Sequence, residues 1–203
     1  PADAQGVIVC SVVPGLTQQL AAACRRLTGK TALIVHYELD TGLVFRVDAP
    51  ERVGRDRIAD AAAAAALYPL PCMTVDLGTA TTYNVISAGR EFLGGFIVPG
   101  VLTSLRAISA GTAQLPPIAP EPPQDLIGRN TVEALNNGAM FGTAAMLDGL
   151  ADRVEARLGA PLTVVATGGL APHILPCCRR PVRYDADLLF KGLALLWERN
   201  ATV

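Results

Sequence analysis

"TVDLGTATTYNV" occupies residues 74–85. An apolar run ends in an acid, Asp76; Gly78 and three threonines, Thr79, Thr81 and Thr82, come next. The stretch reads as a strand, a Gly-Thr turn and a second strand that returns at once. It is not a Walker loop, which needs GxxxxGK[ST] leading into a helix; there is no lysine, and a strand follows. The dinucleotide pattern GxGxxG is also absent. What remains is a tight turn whose amides and hydroxyls can face an anion. Gly78 lets the chain turn or approach a ligand closely, and threonine hydroxyls and backbone amides can donate to phosphate oxygens. Asp76 would repel bare phosphate, so the motif implies phosphate with a metal or potassium ion between them. An ordinary hairpin built from β-favouring threonines is the other reading of the same residues.

Outward from this hairpin, strands alternate with helices. "GVIVCSVV" (6–13), "TALIV" (31–35) and "GLVFRV" (42–47) read as strands. Pro14 ends the first and suits the first turn of a helix from about Gly15 to Leu27. "PERVGRDRIADAAAAAALY" (50–68) begins as a polar turn and becomes an Ala-rich helix, stopped by Pro69 and Pro71. "EFLGGFIVPG" (91–100) reads as a third antiparallel strand, followed by a helix to about Ser109. Residues 111–128 are a proline-rich loop. Residues 130–159 form one long helix with a glycine-softened middle, and "LTVVAT" (162–167) is a buried strand. "DADLLFKGLALLWERN" (185–200) is an amphipathic helix with Asp185 as its cap. This pattern predicts an α/β fold with mixed sheets and a boundary at the turn before Cys72.

Composition narrows the function. The chain has 203 residues and a formal net charge of −1, with no basic patch for nucleic acid or an anionic membrane. Its longest small-residue stretch, Ala59 to Leu67, is broken by Asp60 and falls far short of the roughly 20 apolar residues of a membrane span. The opening "PADAQG" has neither a basic nor an apolar section, so no signal peptide is expected. The five cysteines, Cys10, Cys24, Cys72, Cys177 and Cys178, show no CxxC spacing. They read as reduced thiols of a cytosolic protein.

Two further motifs carry chemistry. In "GRDR" (54–57), Asp56 stands between Arg55 and Arg57 at a helix start. Such an acid stays ionised; it could take a proton from a substrate hydroxyl while an arginine holds a substrate carboxylate. A helix-start Asp between two solvated arginines is the alternative. In "ATGGLAP" (166–172), Gly168 and Gly169 either admit a flat ring or sugar to the backbone or simply make a turn. His36 and His173 have no partner motif, "CCRR" (177–180) reads as an exposed turn, and Trp197 as core.

Taken in order, "SVVPGLT", "ERVGRDRIADA", "VDLGTATTYNV", "EFLGGFIVPG", "GTAQLPPI", "IGRNTVEAL", "ATGGLAP" and "DADLLFKGLALLWERN" resemble the type III pantothenate kinases, from about residue 6 to residue 200. The resemblance implies two ribonuclease-H-like subdomains of the actin and sugar-kinase superfamily, residues 1–70 and 71–203, with ATP in the cleft. It implies transfer of the γ-phosphoryl of ATP to pantothenate, the first step of coenzyme A synthesis, by a cytoplasmic homodimer using Mg²⁺ and a monovalent cation, K⁺ or NH₄⁺. It assigns Asp56 as catalytic base and Gly54 and Arg57 to pantothenate. Gly78, Thr79, Thr81 and Thr82 fall to phosphate, Asp76 to the potassium ion, and Gly168 and Gly169 to adenosine. Thr112 and Thr131 would serve the substrate site across the dimer interface.

Some positions depart from the family pattern. Its leading DxGNT loop, which supplies an Mg²⁺-associated aspartate, does not occur in residues 1–203. The expectation is a first subdomain with an uncovered sheet edge, within a longer product or a degenerate homologue. Val47 stands in place of an aromatic residue, Arg55 in place of a small one and Asn84 where Asp is frequent. The alternatives are a non-catalytic homologue that binds nucleotide or a partner as a regulator, and a kinase of another hydroxy acid.

Overall fold

The computed structural model describes residues 3–13, 15–111 and 118–201. Two compact units divide the chain. The first joins residues 1–70 to 86–94 and 187–203, and the second comprises 71–85 and 95–186.

In the first unit, β1 (Ile8–Val9) lies parallel to β2 (Leu33–Ile34), and β3 (Val44–Phe45) lies parallel to the opening residues of β6 (Glu91–Pro99). The apolar runs are extended as expected, but their ladders are only two residues long. Helix α1 (Leu16–Thr28) lies between β1 and β2 in sequence. It ends at Gly29, whose left-handed φ of 71° lets its N–H reach back to the Arg25 carbonyl. Pro14 lies outside the described residues. A short 3₁₀ turn, Pro50–Arg52, precedes α2 (Arg55–Leu67), and α6 (Leu188–Asn200) packs along α2. The alanine run explains that contact. Small side chains let the helices approach until a Cβ on Gly192 would overlap the Ala59 carbonyl. Ile58, Ala59, Ala62, Leu196 and Val35 form the core of this unit.

The second unit carries β4 (Cys72–Leu77), β5 (Ala80–Ile86) and the rest of β6, then α3 (Val101–Gly111) and α4 (Thr131–Leu158). These are followed by β7 (Thr163–Thr167), a short α5 (Ala171–Ile174), a 3₁₀ turn and β8 (Arg183–Tyr184). The strands run in the order β6, β5, β4, β7, β8, with β7 parallel to both neighbours. Strand alternation sends Met73, Val75, Leu77, Tyr83 and Val85 to one face, where they meet Val101 and Leu105 of α3 and Met140, Ala144, Leu147, Ala151 and Val154 of α4. The α4 residues recur at three and four, the stripe of a one-sided helix. The helix is unbroken despite its glycines. Its start is capped by Asn130, whose side chain accepts from Glu133 N–H at 3.0 Å. The mixed α/β class is the one the sequence predicts.

Three local expectations are corrected. The cap of α6 is Asp187 rather than Asp185; Asp185 is buried, and its N–H donates to the Ala166 carbonyl at 2.9 Å, prolonging the pairing of β8 with β7. "CCRR" is not a free turn. The buried Asp148 of α4 accepts from Arg179 N–H at 2.8 Å and from Arg180 N–H at 3.3 Å. Trp197 is only partly buried and packs against Gly6. No described helix is long and apolar enough to cross a membrane.

Candidate functional site

In the first unit, the "GRDR" turn forms the start of α2. Gly54 is its N-cap, with an ordinary φ of −55°. Glycine is favoured there for space, since a Cβ would lie 2.5 Å from Asp56 Oδ1. Asp56 sits in the first helical turn, where the helix dipole favours negative charge. Its Oδ1 accepts from the Arg57 N–H at 2.8 Å. The two arginines take different parts. Arg55 is committed to structure: its Nη1 donates to Ser11 O and to Thr17 Oγ1, both at 2.7 Å. Arg57 lies 5.7 Å over the Phe92 ring, a cation–π distance. Burial pulls the Arg57 proton affinity down and Asp56 opposes that pull.

Cys10 stands near this turn, and its thiol is pushed up to about 12, first by burial and then by the charges of Asp56 and Asp60. It is therefore a protonated, unreactive thiol at neutral pH. Sequence reasoning passed over Asp60. It is 2 % exposed and one helical turn beyond Asp56. A lone acid inside "IADAAAAAA" was the available signal, because a carboxylate in a packed alanine face needs a reason to be there.

In the second unit, period-two alternation separates the three threonines. Thr81 shares the core face of Tyr83 and Val85 and is 1 % exposed. Thr79 is exposed in the turn, and Thr82 is half-buried on the opposite face. Asp76 shares that face, as does the buried pair Thr74 and Asn84, in which Asn84 Nδ2 donates to Thr74 Oγ1 at 2.9 Å. Asp76 pairs in register with Thr167 at the end of β7. The next residue, Gly168, has φ +96°, and a Cβ on it would lie 2.7 Å from Leu77 O and 2.8 Å from Asp76 Oδ1. Gly78 is close as well, its Cβ position 3.5 Å from the same oxygen. Gly169 is exposed with open space beside it.

Asp76, Gly78 and Gly168 are thus brought together from two distant motifs. The start of α3 presses on the same turn through Gly100 and Thr103, neither of which the sequence singled out. Thr131 is the exposed first residue of α4, and Thr112 lies outside the described residues. A cavity of about 660 Å³ opens between residues 118–129 and the first turns of α4, but none of the sequence-predicted site residues lines it.

Among the described residues, no group of three or more His, Cys, Asp or Glu side chains suits a metal. The Asp76 carboxylate, with the Leu77 carbonyl near the same Gly168 position, offers hard oxygen donors. That set suits a cation held by one carboxylate together with phosphate oxygens.

Comparison with known proteins bears on the chain as a whole. A family model described as type III pantothenate kinase matches residues 1–153. A type III pantothenate kinase of Hyphomonas neptunium is 41 % identical over 197 residues, covering 97 % of this chain and 77 % of the relative. One from Thermobifida fusca is 40 % identical over 202 residues, covering 98 % of this chain and 78 % of the relative. Among solved structures, a protein described as a Baf family transcriptional activator from Campylobacter jejuni superposes with a TM-score of 0.69. It is 21 % identical, the match covers 98 % of this chain and 85 % of that one, and the likeness speaks to fold alone.

Proposed function

The chain belongs to the type III pantothenate kinase family, and from that premise we propose how its own residues divide the phosphorylation of pantothenate by ATP, the entry step of coenzyme A biosynthesis. Asp56 is the base. It accepts the proton of the pantothenate hydroxyl as that oxygen bonds to the γ-phosphorus, while the bond from the γ-phosphorus to the β,γ-bridging oxygen breaks and ADP leaves. Phosphoryl transfer asks little covalent work of a protein beyond alignment and neutralisation of charge. The position of Asp56 at the start of α2, accepting from the Arg57 amide, supports a carboxylate fixed in direction.

Arg57 and Gly54 border the pantothenate-binding turn. Arg55 is held by Ser11 and Thr17, and Arg57 is assigned to the substrate carboxylate. Thr79, Thr82 and the backbone at Gly78 hold the ATP phosphates, and Gly168 with Gly169 admits the adenosine. Thr81, 1 % exposed, contributes by packing the hairpin onto its core. Asp76 would hold a monovalent cation, K⁺ or NH₄⁺, and a divalent ion would supply neutralisation of the phosphate charge. Thr112 and Thr131 complete the site across a homodimer interface, and the enzyme works in the cytoplasm.

The observation that carries this assignment is the meeting of Asp76, Gly78 and Gly168 at the C-terminal ends of β4 and β7. The test is a coupled ADP-release assay on the natural gene product carrying this chain, with ATP, pantothenate, Mg²⁺ and K⁺. Asp56→Asn should lower kcat by roughly 10²–10⁴-fold, the usual worth of a positioned general base. An Asp56→Asn enzyme at wild-type turnover would remove Asp56 from the base role. Ligand binding without turnover in the wild-type product would favour a regulator instead.

A further inference from the structure

The exposed turn of the β4–β5 hairpin is clamped by helix α3. The Thr79 carbonyl accepts two hydrogen bonds, from Gly100 N–H at 3.1 Å and from the Thr103 hydroxyl at 2.7 Å. Ser104 N–H donates to Gly100 O at 2.8 Å, which closes the first turn of α3 and places Thr103 within it. The fit is tight, since a Cβ on Gly100 would overlap the carbonyl oxygens of Gly78 and Thr79. A carbonyl has two lone pairs, and here both are engaged by one helix start. A Gly-Thr turn with an exposed tip would otherwise sample several orientations, each an entropic cost on ligand binding.

We propose that Thr103 is a positioning residue for phosphoryl transfer: its hydroxyl, with the Gly100 N–H, locks the Thr79 peptide and so fixes the turn in its phosphate-holding geometry. This rests on the hairpin being the element that holds the ATP phosphates. Thr103 touches Thr79 and acts on the nucleotide only through it. The ordering is completed during folding, so binding does not have to supply it. Nothing in the sequence marks Thr103, because a threonine in the first turn of a helix is unremarkable until its acceptor is known.

The experiment compares wild type, Thr103→Val, Thr103→Ser and Thr82→Ala in the full-length enzyme. It measures kcat, both KM values and Tm. Thr103→Val keeps the shape and removes the donor. It should raise KM for ATP about three- to tenfold, the size of one neutral hydrogen bond, with KM for pantothenate and Tm unchanged. Thr103→Ser should restore the wild-type KM. Thr103→Ala serves in the same way if the valine variant does not fold. A valine or alanine variant with wild-type KM for ATP overturns the proposal, as does an equal rise for both substrates that serine fails to rescue. Thr82→Ala separates the two levels. If it leaves KM for ATP at wild type, the phosphate reading of the hairpin itself fails. If it raises KM while Thr103→Val does not, only the positioning role is lost.

Discussion

Asp76 and Gly168 meet at the ends of two parallel strands. Asp76 pairs in register with Thr167, and a Cβ on the following glycine would stand 2.8 Å from the Asp76 Oδ1. The acid proposed to hold a cation and the glycine proposed to face the nucleotide are therefore one local structure.

Gly168→Ala tests that contact. The residue has φ +96° and no room beside Leu77 O and Asp76 Oδ1. Backbone strain of this kind costs about 1–3 kcal/mol. The expected outcome is a lower Tm and weaker ATP binding by calorimetry. Gly169→Ala, with open space at its Cβ position, should leave Tm close to wild type. Equal Tm values for the two variants would contradict the crowding argument.

The hairpin threonines should separate in function according to their faces. Thr82→Ala is expected to raise KM for ATP with little change in Tm. Thr81→Ala removes a side chain that is 1 % exposed and should lower stability by about 1 kcal/mol, a typical value for a buried truncation of this size. Steady-state kinetics paired with thermal melts reads both, and reversed effects would mean the faces are exchanged.

Asp148 anchors the segment after α5. Replacing it by Ala orphans the Arg179 and Arg180 N–H groups that its carboxylate accepts, a loss of about 1–3 kcal/mol. Asp148→Asn keeps one acceptor oxygen and should lose less. Urea titrations of the two variants rank them, and an Ala variant as stable as wild type would show the anchor to be dispensable.

Alkaline pH should destabilise the fold within a defined window. Burial is the first cause pushing the thiols of Cys10, Cys72 and Cys178 up to about 12, from 9.0 in the unfolded chain. Above pH 9.0 the unfolded chain sheds protons that the folded chain keeps. Stability is therefore fully present below that pH and falls as pH rises towards about 12. Urea midpoints across this range should decline, and the decline should be shallower in Cys72→Ala. A flat profile would show that these thiols are not protected.

Much of the second unit was legible. The apolar run ending at Leu77, the Gly-Thr turn and the returning strand gave the hairpin, and apolar spacing gave α4, because turn chemistry and helical period are local properties of the chain. The strands of the first unit were overextended, since a ladder lasts only as long as its partner, and β1 and β2 meet over two residues. The Asp185 cap failed for a related reason: β8 continues its pairing with β7 to that residue. Asp148, Gly100 and Thr103 left no usable local signal, because each acts on a segment far away in sequence.

By itself the amino-acid order determined the α/β class, the hairpin and the family. These follow from side-chain period, turn chemistry and motif order, all of which are written along one dimension. The tertiary structure alone decided that Thr81 faces the core while Thr82 does not, that Arg55 is spent on Ser11 and Thr17, and that Gly168 closes on Asp76. Each depends on which face α3 and α4 cover, on the start of α2 meeting the segment after β1, or on strands brought side by side across intervening elements. Packing sets those outcomes, and no single segment carries the information.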